Sequence, residues 1–521
     1  MDLIKIYFTH INHNIPFIKK ADFLQKLNNQ PTFLLISLYT VTSMLDPIIN
    51  KKGNSFENTI YSIDPTESER YFDFAYKLMP LNINEPKIST IQALLILSFF
   101  SILSNKLSFS RMYINVATQM LFSMRFQYDS LKNTQEALNL KIKPILNIQR
   151  RLWYCTYILH VFSLLSSNMP IASFIDSYLV PFPDDDENFN EEISLPHQIK
   201  NDYMNRNSLN NYNYELDKKN FPMTSSFSFN ENMNMNKDYP SSSSNMNEIN
   251  NLIIDFAENE DVKMCSEVPV GYMKELITLT RLTAENFCLV NDRELNSLIH
   301  YQSEKKREIV EKAFLLNTEL ERNKKYKSKA KEYDINKISS GSNPYDYNPC
   351  CCFDINAFSK LIILDYNFQD WLKYLDEKFK EIPSPVTPEN FTVFRSTSNL
   401  HMLWNWNQMH LHRPLYCTCD RKNSNISSLL STYLMLNPLL DHFNPLFIEA
   451  VYESAINHIM VLLYPPEDYP EEKLRHIFKL IKLNILVITK LSNIWPYARK
   501  YKDSLENLIT SSDIYSTYSK N

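Results

Sequence analysis

The stretch Ser89-Thr90-Ile91-Gln92-Ala93-Leu94-Leu95-Ile96-Leu97 decides how the whole chain is read. Ser89 through Gln92 spell a capping box, in which the Ser hydroxyl accepts a backbone N–H and the Gln reaches back to the chain. The residues that follow are apolar on every side of a helical wheel, so the helix is expected to be buried rather than laid on a surface. The apolar run continues to Leu103. That is far short of the roughly 20 residues needed to cross a bilayer.

Other segments agree with a helical reading. Pro144 is expected in the first turn of a long helix ending near Ser167, where its missing N–H costs little. Phe368, Trp371, Leu372, Leu375 and Phe379 recur at i, i+3, i+4, i+7 and i+11, which is one helical face, with Asp354 as a plausible N-cap upstream. No alternating strand of useful length is found. The fold class expected is all-α.

Composition narrows function. Only three of the 521 residues are glycine, against a usual level of about 7%. They stand far apart, at Gly53, Gly271 and Gly341. Phosphate loops, dinucleotide-binding turns, kinase glycine loops and nucleophile elbows all need glycine where backbone approaches a phosphate or turns sharply. None can be written here. The net charge of −5 gives no overall attraction to nucleic acid. Eight cysteines in so long a chain do not make a disulfide scaffold and are read as reduced thiols. The N-terminus has no apolar core of a signal peptide, so an intracellular protein with no membrane partner is expected.

The chain divides by composition. Residues 1–183 are dense in apolar residues. Residues 184–250 open with Asp184-Asp185-Asp186-Glu187 and run on in Asn, Ser and Met, so they are expected to form a disordered insert. Residues 251–335 read as a polar helical segment, 336–352 as a loop, and 353–521 as a return to apolar helical periodicity.

Four segments carry a resemblance. Ile6-Tyr7-Phe8-Thr9-His10-Ile11 is followed by Pro16-Phe17-Ile18 and Phe23-Leu24. Ile88-Ser89-Thr90-Ile91-Gln92-Ala93-Leu94-Leu95 is followed by Tyr113-Ile114-Asn115-Val116-Ala117. Arg150-Arg151-Leu152-Trp153-Tyr154 leads to Pro170 and to Val180-Pro181-Phe182-Pro183. Leu400-His401-Met402-Leu403 leads to His410-Leu411-His412-Arg413-Pro414. In this order and spacing they resemble the regulatory "middle homology" domain of fungal zinc-cluster transcription factors, of the xylanolytic-activator type. The resemblance assigns Arg150, Arg151, Trp153, Pro170, Pro181, Pro183, Arg413 and Pro414 to the family's structural motifs. The residues themselves read the same way: a guanidinium beside an aromatic helix clamps loop carbonyls or stacks on Trp or Tyr more often than it binds a ligand.

The departures are specific. His160 stands where the family carries Asp, and Asn168-Met169 where it carries Gly-Arg. Asn115 and Arg125 also fall on family glycines. Asn168, following a long helix, is expected to take the left-handed conformation that glycine otherwise serves. The family's DNA reader is a six-cysteine cluster holding two zinc ions. The cysteines here are 155, 265, 288, 350, 351, 352, 417 and 419, with no C-x2-C among them. No cofactor is therefore expected in this chain, and zinc only in a cluster that lies outside it.

The chain also carries patterns of metal-ligating and basic residues. His410, His412, Cys417 and Cys419 form H-x-H-x4-C-x-C, four N and S ligands within ten residues. Histidines at i and i+2 of a helix project from different faces, and the stretch overlaps a packing motif, so zinc is the weaker reading. Cys350-Cys351-Cys352 is expected in an exposed loop. Basic clusters at Lys305-Lys306-Arg307 and from Lys324 to Lys331 read as solvated helix faces, with nuclear import as the alternative. No spacing singles out a nucleophile and base, so no enzyme is expected.

The resemblance implies a nuclear regulatory domain for RNA polymerase II transcription. Its partners would be the transcription machinery or co-regulators, with DNA reached through a missing module or partner. A small-molecule effector and a homodimer are both open, with an effector pocket expected among the apolar helices between residues 88 and 167. The alternative is a helical scaffold or co-regulator that touches DNA only through partners.

Overall fold

Helix α5 (Ile88–Leu103) is the hub that the opening stretch promised. Leu94, Leu95, Leu97, Phe99, Phe100 and Leu103 are completely shielded from solvent. Each such side chain contributes about 1.5–3 kcal/mol relative to exposure. The structure is a computed structural model that describes residues 2–46, 66–127, 143–167, 180–183, 268–290, 355–387, 389–412, 420–436, 440, 442–465 and 469–511. Among the described residues every regular element is a helix and there is no strand, as expected for an all-α protein.

The N-terminal half builds around α5. Helix α1 (Asp2–Ile6) continues directly into a π-helical turn over Tyr7–Ile11. Helices α2 (Lys20–Gln25) and α3 (Thr32–Thr42) follow, and α3 packs on both α4 (Thr66–Asn82) and α5. Helix α6 (Leu107–Ser123) lies against α5. Helix α7 (Lys143–Leu165) has Pro144 in its first turn and packs on α5 and α6. Ser98 of α5, Ser110 of α6 and Ser163 of α7 are hydrogen-bonded in a chain at 2.9 and 3.1 Å. Three small hydroxyls thus let three buried helices approach closely without leaving polar atoms unsatisfied.

The C-terminal half is laid down by α8 (Tyr272–Val290), α9 (Ile355–Tyr374), the single-turn α10 (Glu377–Lys380), α11 (Phe391–His412), α12 (Asp420–Leu436), α13 (Ile448–Leu463), α14 (Glu471–Ile494) and α15 (Pro496–Ser511). Helix α8 is amphipathic and joins the halves, packing on α7, α9 and α11. Asn286 of α8 donates to the Asn407 carbonyl at 2.9 Å, and Asn407 donates to Thr283 Oγ1 at 2.9 Å. All three are buried, so the bonds fix the register of α8 against α11. A second buried set, Ser427, Asn484 and Ser454, ties α12, α14 and α13 together. All described residues fall within one compact unit, Met1–Asn190 with Glu260–Asn521.

Several local expectations are corrected. Helix α5 starts at Ile88, with Lys87 at its N-cap and no side-chain cap. Ser89 is therefore inside the helix, and no capping box forms. Gln92 instead donates to the Phe17 carbonyl at 3.3 Å, a tertiary contact that replaces the local one. The five-residue apolar face from Phe368 is buried throughout, but it is not one helix. Helix α9 ends at Tyr374, and Asp376 caps α10 by accepting from the Lys378 N–H at 3.3 Å, so Phe379 belongs to the next turn. The stretch Pro445–Leu463 is long and apolar enough to cross a membrane by length and composition, which the apolar-run count missed. It carries Glu449 and Glu453, and 61% of it is buried, as in a core helix. The proposed insert at 184–250, the loop at 336–352, both basic clusters, Asp354, Asn168 and Cys350 to Cys352 lie outside the described residues.

Left-handed backbone occurs at Asn105, Arg125 and Leu440, with φ of 59°, 61° and 58°, and at Gly271, with φ of 82°. Arg125 ends α6, its N–H bonded to the Phe122 carbonyl at 2.9 Å. A residue other than glycine pays about 1–2 kcal/mol to sit there. One of the positions read as a substituted glycine is thus a position where the backbone wants glycine.

Candidate functional site

The Arg-Arg-Leu-Trp stretch lies at the centre of α7. Arg151 is fully buried, and its Nη1 donates to the Pro16 carbonyl at 3.3 Å. Trp153 meets Phe122 edge-on at 5.7 Å. Arg150 is also buried. Arg395 of α11 is buried too, donating from Nη1 to the Thr9 carbonyl at 3.1 Å and from Nη2 to the His10 carbonyl at 3.4 Å. His13 joins Ser396 at 3.2 Å. The segment from Thr9 to Pro16 is thus held from two sides, by an arginine of each half. The π-helical turn and the bend after it interrupt the regular helical ladder, and buried carbonyls need donors. A guanidinium suits this because it is permanently charged and carries five donors.

Val180–Pro183 is fixed by the same helix. Tyr154 donates its hydroxyl to the Val180 carbonyl and stacks on Phe182 at 5.6 Å. Arg281 of α8 lies 5.5 Å from both ring centres. Pro181 and Pro183 therefore enter as part of a docked strap on α7 and α8. Arg395 and Arg281 were not singled out by sequence; an arginine inside an otherwise apolar helical face, as at Phe394-Arg395-Ser396, is the signal that finds the first.

A cleft of about 410 Å³ opens where α8, α11, α13 and α15 converge beside Ser166, just past the end of α7. Glu449 and Glu453 line one wall, at i and i+4 on α13. Glu449 Oε2 accepts from the Tyr497 hydroxyl at 3.1 Å, and Glu453 Oε2 accepts from Trp406 Nε1 at 3.1 Å. Lys500 and Tyr501 of α15 also line it. Lys500 Nζ lies 4.1 Å from the Tyr497 ring centre and 4.5 Å from that of Tyr501. The residue as a whole is exposed, yet its ammonium is shielded enough that desolvation lowers its pKa, opposed by the Glu449 charge. Burial raises Tyr497 and Tyr501 well above an ordinary phenol, and the carboxylates add to the shift. The cleft touches the 88–167 stretch only at Ser166. The helices of the 88–167 stretch, where an effector pocket was expected, contribute fully buried side chains such as Leu94, Phe99, Tyr113 and Leu152.

His410 stands at the back of this cleft, buried and stacked on Phe287 at 3.7 Å with an 18° angle between rings. Both it and His412 are on α11, at i and i+2. Arg413, Pro414, Cys417 and Cys419 lie outside the described residues, as does Pro170. Among the described residues no group of three or more His, Cys, Asp and Glu could hold a metal ion.

Residues 4–333 match the family described as "Fungal specific transcription factor domain". The matched range contains the first three resembling segments and ends before the fourth, at 400–414. A transcriptional regulatory protein of Schizosaccharomyces pombe, itself uncharacterised, is 22% identical over 202 residues, covering 38% of this chain and 29% of the relative. The chain thus spans under a third of the length of that relative. No solved structure matches.

Proposed function

The chain belongs to the fungal specific transcription factor domain family and has a transcription-regulatory role; from that premise we propose that it is the regulatory domain of a zinc-cluster-type factor acting on RNA polymerase II in the nucleus. The observation that carries this reading is the family match over residues 4–333. The physical frame agrees with it. Two helical halves grip one N-terminal segment through Arg151 and Arg395, and in this reading that segment is the joint between them. A ligand or partner that binds one arrangement better shifts the balance between them.

In this reading the DNA-reading cluster is supplied from outside the sequence described, since its cysteines show no C-x2-C spacing. Partners are the transcription machinery or co-regulators. The competing reading, a helical co-regulator recruited to DNA by other proteins, is separated by the transcript that encodes this chain. An in-frame upstream segment with six cysteines at cluster spacing supports the factor; a mature transcript without one supports the co-regulator. The chain by itself is expected to give no sequence-specific shift on a pool of random duplexes while accumulating in nuclei as a fluorescent fusion. A nanomolar, sequence-specific shift, or exclusion from nuclei, overturns the proposal.

A further inference from the structure

We propose that the outward face of α14 is a docking surface for an acidic segment of a partner protein, whose carboxylates run along Arg475, Lys479, Lys482 and Lys490 and which covers Leu486 with an apolar side chain. The face lies beyond residues 4–333, the range of the family match, and its binding of an acidic segment does not rest on the transcription reading.

The sequence sets the charge. Residues 473–502 hold eight Lys or Arg and no Asp or Glu, within a chain whose net charge is −5. The fold then sorts them. Ile477, Ile481, Ile488 and Leu491 are buried and turn one side of α14 toward α12, α13 and α15. Arg475, Lys479, Lys482, Leu486 and Asn493 recur at i, i+4, i+7, i+11 and i+18 and are exposed on the other side, with Lys490 partly exposed beside them. This is the seven-residue spacing at which one helix meets another. At 1.5 Å per residue the stripe is about 27 Å long.

An exposed helix face is usually steadied by an acid one turn from each Lys or Arg. That arrangement is present at the N-terminal end, where Arg475 pairs with Glu471 at 2.7 Å. Beyond it, the chain places no acid within one turn of Lys479, Lys482 or Lys490 on either side. Lys482 lies over the Phe478 ring, 4.4 Å from its centre. Like charges at i, i+3 and i, i+4 repel, a cost that an acidic partner would turn into attraction.

Three observations favour a carboxylate-bearing peptide over a phosphate backbone. Leu486, 47% exposed, stands between Lys482 and Lys490, and an apolar side chain covers it where a phosphate chain would not. Three of the four cations are Lys, point charges, whereas paired recognition of phosphate favours Arg. The net charge of −5 opposes a long polyanion, while a short segment meets only the local stripe within a Debye length of about 8–10 Å.

The test is fluorescence anisotropy of the purified full chain with a synthetic acidic helix of about the stripe's length, carrying Glu at heptad spacing around a central Leu. The same peptide with every Glu changed to Gln is the control, and a random DNA duplex is the rival ligand. Saturable binding of the Glu peptide is expected, weakening as potassium chloride rises, with the Gln peptide silent. Lys479→Glu with Lys482→Glu should weaken it about tenfold or more and create binding of a Lys version of the peptide. Both positions are exposed, so thermal unfolding of that variant should stay near wild type. Leu486→Ala should weaken the Glu peptide about threefold or more. No saturable binding to the folded wild type, binding indifferent to the charge reversal, or tighter binding of the duplex lost by the same reversal would each overturn the proposal. So would peptide binding that emerges only when the acids at 184–187 are changed to Asn and Gln, because the occupant would then be the chain's own acidic run.

Discussion

Arg395 Nη1 donates to the Thr9 carbonyl at 3.1 Å, joining positions 386 residues apart in the chain. Arg151 does the same for Pro16 from the other side. The two arginines hold one segment, so their contributions should be coupled. Arg395→Met and Arg151→Met are each expected to cost about 1.5–3 kcal/mol, the range for hydrogen bonds to charged groups. The double variant should lose less than the two losses together, by at least about 0.5 kcal/mol, because a segment freed by one change has less to lose to the other. Urea unfolding of the four proteins measures the cycle. Strict additivity would mean that the grips act separately.

The left-handed residue at the end of α6 gives a conformational prediction. Arg125→Ala and Arg125→Gly both remove the same long side chain, so their difference isolates backbone strain. The Gly variant should be more stable than the Ala variant by about 1 kcal/mol. Differential scanning calorimetry would show the higher Tm for Gly, and equal values would place no strain at φ 61°.

The buried amides between α8 and α11 should behave as a structural rivet. Asn407→Ala removes the donor to Thr283 Oγ1 and the side-chain acceptor of Asn286. A loss of about 1–3 kcal/mol is expected, since buried partners are left unmatched. Hydrogen exchange should rise first in α8. Unchanged exchange there would show that the two helices hold without the bond.

His401 sets a pH dependence. Desolvation lowers its pKa below the ordinary value, outweighing the hydrogen bond it donates from Nε2 to the Phe379 carbonyl at 2.9 Å. The unfolded chain, with its histidine near pH 6.5, therefore binds the proton more readily than the folded one. Stability from this residue is complete above about pH 6.5 and is lost as pH falls through the lowered folded value. Relative to wild type, His401→Gln should show a shallower loss of stability between about pH 7 and pH 5. Parallel curves would assign the acid sensitivity to other groups.

Much of the scaffold could be read from the chain because it depends on short-range pattern. The all-round apolar run of α5 and Pro144 at the start of α7 are of this kind. The capping box at Ser89 failed because a tertiary acceptor, the Phe17 carbonyl, took Gln92. The break before Phe379 was hidden because its apolar spacing continued through the cap at Asp376. The cleft was not legible at all. Glu449 and Lys500 are far apart in sequence and meet through the packing of α13 with α15, and nothing local marks them beyond two acids at i, i+4 in an apolar helix. The histidine pair at 410 and 412 drew attention by residue type; in the fold His410 is buried and stacks on Phe287.

The most direct measurement of the central claim is to fuse the full chain to an unrelated DNA-binding module and count transcripts from a reporter carrying that module's site. A regulatory domain should change reporter RNA relative to the module alone, and the joint-loosening pair Arg151→Met with Arg395→Met should alter the size of that change at equal protein level. Reporter RNA identical to the module alone, for both the wild type and the loosened variant, would contradict a transcription-regulatory domain built on this joint.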